Sequence, residues 1–140
     1  MSKVAIVFWS ATGNTETMAN CIAEGAGANG TIVPCTEMTP AKLAEFDVVA
    51  FGCPAMGAEQ LEESEFEPMF AALEGSLNGK KIALFGSYGW GDGQWMRDWV
   101  QRAQDDGAQL FSEEGLICNE TPDDDVQAAC RKLGADLVAW

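Results

Sequence analysis

The 140-residue chain contains no histidine. That removes the side chain used most often as a general base near neutral pH, and the commonest transition-metal ligand. Positive charge is scarce: eight Lys plus Arg stand against 22 Asp plus Glu, a formal charge of −14. Nucleic acids and anionic membranes need basic patches on their partners, so neither is expected here. The acidity suits a partner with a basic docking face, and equally it suits solubility alone. The cysteines, Cys21, Cys35, Cys53, Cys118 and Cys130, are scattered, with no Cys-x-x-Cys pair. Zinc and iron–sulfur sites use clustered cysteines, so the expectation is no metal and a set of reduced, buried thiols. No apolar run is long enough to span a bilayer. The first residues, Met1-Ser2-Lys3, lack a signal-peptide pattern, because the apolar run that follows stops at Trp9. A cytoplasmic protein of one domain, residues 1–140, is expected.

What the chain does contain is a regular alternation. Lys3 to Trp9 reads as strand one, and Asn14 to about Glu24 as a helix, with Met18, Ala19, Ile22 and Ala23 at three- and four-residue steps. Gly25, Gly27 and Gly30 are expected to break that helix. Thr31 to Cys35 is a short strand, Ala41 to Glu45 a brief helix, and Asp47 to Gly52 strand three. Glu65 to Leu73 is helical, Ile82 to Phe85 is strand four, and Trp95 to Asp106 is helical again. Ala108 to Phe111 and Gly115 to Cys118 make an interrupted strand five. Asp123, Asp124 and Asp125 favour the start of a last helix, where the dipole suits negative charge. Short, nearly continuous apolar strands alternating with helices imply right-handed crossovers and a parallel sheet covered on both faces.

Three loops stand out, each following a strand: Ser10 to Thr15, Cys53 to about Ser64, and Gly86 to Gly93, with a fourth around Asn119. In an open parallel sheet, ligands bind outside the carboxyl ends of the strands, so all four share one edge. Ser10-Ala11-Thr12-Gly13-Asn14-Thr15 packs hydrogen-bond donors at a strand-to-helix turn, where free N–H groups and the helix dipole attract an anion. The plainer reading is a polar turn with Thr or Asn as a helix cap. The loop lacks the Lys of a Walker A loop, the glycine fingerprint of a dinucleotide site, the acids of a receiver domain, and the Cys and Arg of a Cys phosphatase. Neutral donors suit a phosphate that stays bound as the handle of a cofactor. Gly86 to Gly93 has four glycines in eight residues and is expected to be irregular throughout. Trp90, between two of them, is either a core anchor or a stacking platform.

Together, Trp9-Ser10-Ala11-Thr12-Gly13-Asn14-Thr15-Glu16, Gly52-Cys53-Pro54-Ala55-Met56-Gly57-Ala58-Glu59 and Phe85-Gly86-Ser87-Tyr88-Gly89-Trp90-Gly91-Asp92-Gly93 resemble the flavodoxins, specifically their short-chain, anaerobic-bacterial type. The resemblance runs from Val4 to the final helix. It implies a three-layer flavodoxin-like α/β fold, a five-stranded parallel sheet of order 2-1-3-4-5 with helices on both faces. That order, with FMN at the switch between strands one and three, is itself the known flavodoxin arrangement and is taken from the resemblance. It further implies a low-potential one-electron carrier with non-covalent FMN, shuttling between semiquinone and hydroquinone and converting no substrate of its own. The FMN phosphate would be held by Ser10, Thr12, Gly13, Asn14 and Thr15, with Ala11 in the same loop where relatives often carry Gly. Met56, Gly57 and Ala58 would lie against the inner side of the ring, with Pro54 and Ala55 among the cofactor-binding residues just before them, and Trp90 would stack on its outer face. Glu59 would accept from flavin N3–H. Tyr88, Gly89 and Gly91 belong to the loop that meets the pyrimidine end, and Ser87 and Asn119 would flank the ring. Ala58 stands where relatives often carry a polar residue.

Three levers on the potential follow. A turn at Met56-Gly57-Ala58-Glu59 needs positive φ at Gly57, and a peptide flip there would accept a bond from protonated N5. The −14 charge and a bound phosphate disfavour a second negative charge on the ring. Trp90 excludes water. Acids at Glu59, Glu62, Glu63, Glu65, Glu67 and Asp92 are expected around the flavin edge, facing redox proteins with basic docking surfaces, and the chain is expected to be a monomer. Two other readings compete: an FMN-dependent NAD(P)H:quinone-type reductase of the same fold, and an interaction domain without flavin.

Overall fold

The computed structural model describes residues 1–57 and 59–140. Six strand segments form one sheet: β1 Val4–Phe8, β2 Gly30–Pro34, β3 Val48–Gly52, β4 Lys81–Tyr88, β5 Gln109–Leu110 and β6 Leu116–Asn119. Among the described residues, five α-helices accompany them: α1 Asn14–Ala26, α2 Pro40–Leu43, α3 Phe66–Leu73, α4 Gln94–Asp105 and α5 Asp124–Ala139. All strand pairs are parallel, and the order is β2-β1-β3-β4-β5, with β6 also pairing to β4. The interrupted fifth strand is therefore two short segments laid end to end along β4, against Lys81–Ile82 and Phe85–Tyr88.

Strand side chains alternate between two cores, as the two-residue period requires. Ala5, Val7, Val49, Phe51, Ile82 and Leu84 face one way, onto α2, α3 and α4, where Phe66, Phe70, Trp95 and Trp99 fill the space. Val4, Ile6, Val48, Ala50, Ala83 and Phe85 face the other way, onto Met18 and Ile22 of α1 and Leu137 and Val138 of α5. Every residue of β3 is buried, whereas the edge strand β2 leaves Ile32 40% exposed.

Two sequence expectations give way. The first helix does not stop at Gly25 but runs to Ala26. Gly25 faces α5 so closely that a Cβ would lie 1.8 Å from the Arg131 carbonyl oxygen, and Gly134 on α5 meets the Ile22 carbonyl oxygen in the same way, at 2.0 Å. These glycines serve helix contact, and the packing outweighs their poor helix propensity. Second, Gly86, Ser87 and Tyr88 belong to β4, not to an irregular loop. Their backbone pairs with Ile117, Cys118 and Asn119 of β6, and a Cβ on Gly86 would lie 2.2 Å from the Cys53 carbonyl oxygen. The irregular stretch begins only at Gly89.

The chain leaves β1 to one side, through α1 to β2, then crosses back to β3 on the other side. The loops after β1 and β3 separate there and open the crevice that this topology provides.

Candidate functional site: a cleft at the carboxyl edge of the sheet

A cleft of about 430 Å³ lies at this edge, lined by Ala11, Thr12, Asn14, Pro54, Ala55, Met56, Ser87, Tyr88, Gly89, Glu120 and Thr121. Nine of these are residues singled out from sequence. No Lys or Arg is among them.

The first loop is built around Ser10. Its Oγ accepts from the N–H groups of Gly13, at 3.1 Å, and Glu16, at 3.3 Å, which leaves its single O–H hydrogen unspent. Gly13 takes φ 95° and caps α1 without a side chain. Among the described residues, the N–H groups of Asn14 and Thr15 have no acceptor, the ordinary condition of a helix start. Thr15 is buried, its Oγ1 2.9 Å from Ser87 Oγ. That bond uses one of the pair's two hydroxyl hydrogens and leaves the other. Ser87 is therefore tied to the first loop while it lines the cleft. Unspent neutral O–H and N–H donors at a helix N-terminus fit a phosphate dianion.

The second loop follows β3 along β4, through Cys53 N–H to the Phe85 carbonyl, 3.1 Å, and Ala55 N–H to the Ser87 carbonyl, 3.0 Å. Trp95 Nε1 donates to the Cys53 carbonyl at 3.1 Å and fixes the segment from below. Burial pushes the Cys53 thiol up to about 12, so it remains a neutral thiol beside Pro54. Beyond Met56 the chain turns back. Met56 N–H donates to the Gln60 carbonyl at 2.9 Å, and Gln60 N–H donates to the Met56 carbonyl at 3.0 Å. The turn therefore closes on Gln60, one residue later than the sequence suggests. Gly57 has the positive φ, 46°, that was expected of it, and Glu59 shares the left-handed region at 52°. Ala58 lies outside the described residues.

The third loop carries Trp90, which is 66% exposed. It sits between Gly89, on the cleft wall, and Gly91, at φ 87°. Among the described residues it is the most exposed large apolar side chain apart from Met1. The indole itself is not among the residues that line the cleft.

Glu59 does not point into the cleft. Its Oε1 accepts from Gln94 N–H at 3.1 Å, at the start of α4. The acids expected around the flavin edge also divide. Glu62 is buried; its carboxylate accepts from the N–H groups of Ser64 and Glu65, each at 2.7 Å, from Phe66 N–H at 3.0 Å, and from Ser64 Oγ. Burial alone would raise its pKa, but these donors outweigh it and hold the carboxyl at about 2. It caps α3. Glu67 is paired with Arg102, with both oxygens at 2.7 Å, and Asp92 with Arg97 at 2.9 Å. Glu63 and Glu65 remain as exposed carboxylates.

Two cleft residues escape the sequence reading, Glu120 and Thr121. Glu120 N–H donates to the Tyr88 carbonyl at 2.7 Å, and Asn119 Nδ2 reaches the same oxygen at 3.5 Å. Their signal is position alone: they follow the last strand at the edge where the other loops meet.

A flavodoxin family model matches residues 6–133. The flavodoxin of Megasphaera elsdenii is 48% identical over 134 residues, covering 94% of this chain and 95% of that one. The flavodoxin of Clostridium beijerinckii is 43% identical, covering 95% and 97%. The solution structure of two-electron reduced Megasphaera elsdenii flavodoxin superposes with a TM-score of 0.84 at 43% identity, over 98% of this chain and 99% of that one. With a family model over most of its length and relatives of this identity and coverage, the chain belongs to the flavodoxin family.

Proposed function

We propose that this chain carries single electrons between redox proteins on FMN held non-covalently in the cleft at the carboxyl edge of the sheet. Family membership supports the carrier reading over a reductase with its own substrate. The observation that carries the site assignment is the neutral donor set at the start of α1, opening on the cleft. Thr12, Asn14, the Ser10 hydroxyl and the free N–H groups of Asn14 and Thr15 hold the phosphate. Ala11 and Gly13 shape that loop. Pro54, Ala55, Met56 and Gly57 support one side of the ring, Tyr88, Gly89, Trp90 and Gly91 the other, and Asn119 and Glu120 close the far end.

FMN, when bound, supplies the one-electron chemistry; the protein supplies position and field. Gly57, exposed and at positive φ, is free to present either its N–H or its carbonyl, and the carbonyl would be an acceptor for a protonated nitrogen of a bound flavin. The absence of a cation near the phosphate leaves that dianion uncompensated, which adds to the field of a −14 chain against further negative charge. The carrier works as a single-domain monomer in the cytoplasm, and its acidic surface docks on basic faces of its redox partners. Among the described residues, no helix is long and apolar enough to cross a membrane.

The test compares FMN with riboflavin, which lacks the phosphate. Thr12→Ala and Asn14→Ala are expected to weaken FMN binding about tenfold each, the scale of a lost bond to a charged group, and to leave riboflavin binding unchanged. Equal losses for both ligands would remove the loop from phosphate recognition.

A further inference from the structure

We propose that Ser87 is a positioning residue for phosphate binding: its hydroxyl and its N–H both donate to Thr15 Oγ1, so that the one hydroxyl hydrogen left on the pair, that of Thr15, is turned to the anion at the start of α1. The effect on the cofactor rests on the FMN reading above; the contact between the two residues stands on the geometry of the chain by itself.

The backbone of β4 creates the need for this contact. Cys53 N–H donates to the Phe85 carbonyl and Ala55 N–H to the Ser87 carbonyl, so the segment after β3 continues the ladder along β4. The Cys53 carbonyl, which lies between these two bonds, is occupied by Trp95 Nε1 at 3.1 Å. Among the described residues, the Ser87 N–H finds its acceptor outside the sheet, at Thr15 Oγ1, 3.4 Å away. The Ser87 hydroxyl meets the same oxygen at 2.9 Å. Thr15 is 1% exposed and Ser87 4%, so bulk water does not compete for these groups.

Counting hydrogens gives the contact a direction. A hydroxyl oxygen offers two lone pairs and one hydrogen. A backbone N–H can only donate, so Thr15 Oγ1 is already an acceptor on the side facing β4. When it accepts the Ser87 hydroxyl as well, both lone pairs are filled from β4, and its own hydrogen is left for a partner on another side. Thr15 stands in the first turn of α1, next to Asn14 of the cleft wall, where the N–H groups of the helix start are also unspent. A phosphate there meets a hydroxyl that can only donate to it. Ser87 and Thr15 are 72 positions apart, so the pair also pins the start of α1 to the strand that leads into Tyr88 and Gly89 of the cleft.

Two measurements test it. In the cofactor-free chain, Thr15→Val keeps the side-chain shape and removes the hydroxyl. It is expected to speed exchange of the Ser87 amide about fivefold relative to the other β4 amides, with Thr15→Ser leaving that amide protected. Equal Ser87 exchange in the parent and Thr15→Val overturns the contact. In titrations with FMN and riboflavin, Ser87→Ala is expected to weaken FMN binding about fivefold and to leave riboflavin binding unchanged. The double variant Thr15→Val with Ser87→Ala is expected to bind FMN no more weakly than Thr15→Val alone, because Ser87 acts through Thr15. Equal losses for the two ligands, or losses that multiply in the double variant, overturn the proposal. A parent that takes up no FMN would instead sink the functional reading, with the amide exchange still deciding the contact.

Discussion

At Gly57 the backbone has φ 46°, yet a Cβ added there would meet nothing within 4 Å. Any penalty for a side chain at this position is therefore conformational and not steric crowding. Gly57→Val is expected to destabilise the cofactor-free chain by about 1–2 kcal/mol in urea denaturation, with Gly57→Asn much milder, because Asn tolerates the left-handed region. In the FMN-loaded protein the same order, Gly, Asn, Val, should appear as a falling first one-electron potential. A Val variant with unchanged stability and potential would show that the turn does not depend on positive φ. The need for a residue that tolerates positive φ at Gly57 was legible in the sequence, because turn chemistry is local. The capture of Glu59 by α4 was not, because its partner lies 35 residues away and only the fold brings the two together.

Among the elements, α3 and α4 each carry at one end a carboxylate whose titration moves stability. The cap that Glu62 places on α3 depends on its charge. Its folded pKa, about 2, lies below the usual 4.5, so its contribution is full above about pH 4.5 and is lost as pH falls towards 2. Glu62→Gln is expected to cost about 2 kcal/mol at pH 7, with the gap from the parent closing as the acid limb is reached. Asp106, at the end of α4, behaves in the opposite sense. Burial, and a hydrogen bond shared with Glu74, raise it from 3.8 to about 6, with Asp105 adding repulsion and Arg102 opposing it. Between those values the folded chain keeps a proton that the unfolded chain has released, so stability falls as pH rises through about 6. Asp106→Asn should therefore be more stable than the parent by about 1 kcal/mol at pH 7 and equal to it near pH 4, read from thermal unfolding at both. A stability difference that does not change with pH would contradict this sign. Helix existence and spacing were readable in advance because Met18, Ala19 and Ile22, or Met96, Trp99 and Val100, mark a buried stripe. Boundaries were missed where tertiary contact overrides a local breaker, at Gly25 under Arg131 and at Gly86 against Cys53. The acids of 59–67 looked like one exposed run, and only packing separates a buried cap at Glu62 and an Arg102 partner at Glu67 from the exposed carboxylates of Glu63 and Glu65.

For the whole molecule, the sheet order brings four loops to one edge, and the net charge of −14 surrounds whatever they hold. The three loop motifs were legible because each concentrates unusual residues after an apolar strand. Glu120 and Thr121, unremarkable by type, became visible only when the fold placed them in the cleft. Interactions among exposed charges fall off within about 10 Å at 0.1 M salt, whereas a charge beside a covered ring is screened less. The field should therefore leave a salt-dependent mark on the potential for the second electron, while the Gly57 turn acts mainly on the first. A spectropotentiometric titration of the FMN-loaded protein, run at low and high ionic strength, reads both. Two separated one-electron steps are predicted, the second at clearly lower potential and rising with salt. A single two-electron step, unmoved by salt, would contradict the account.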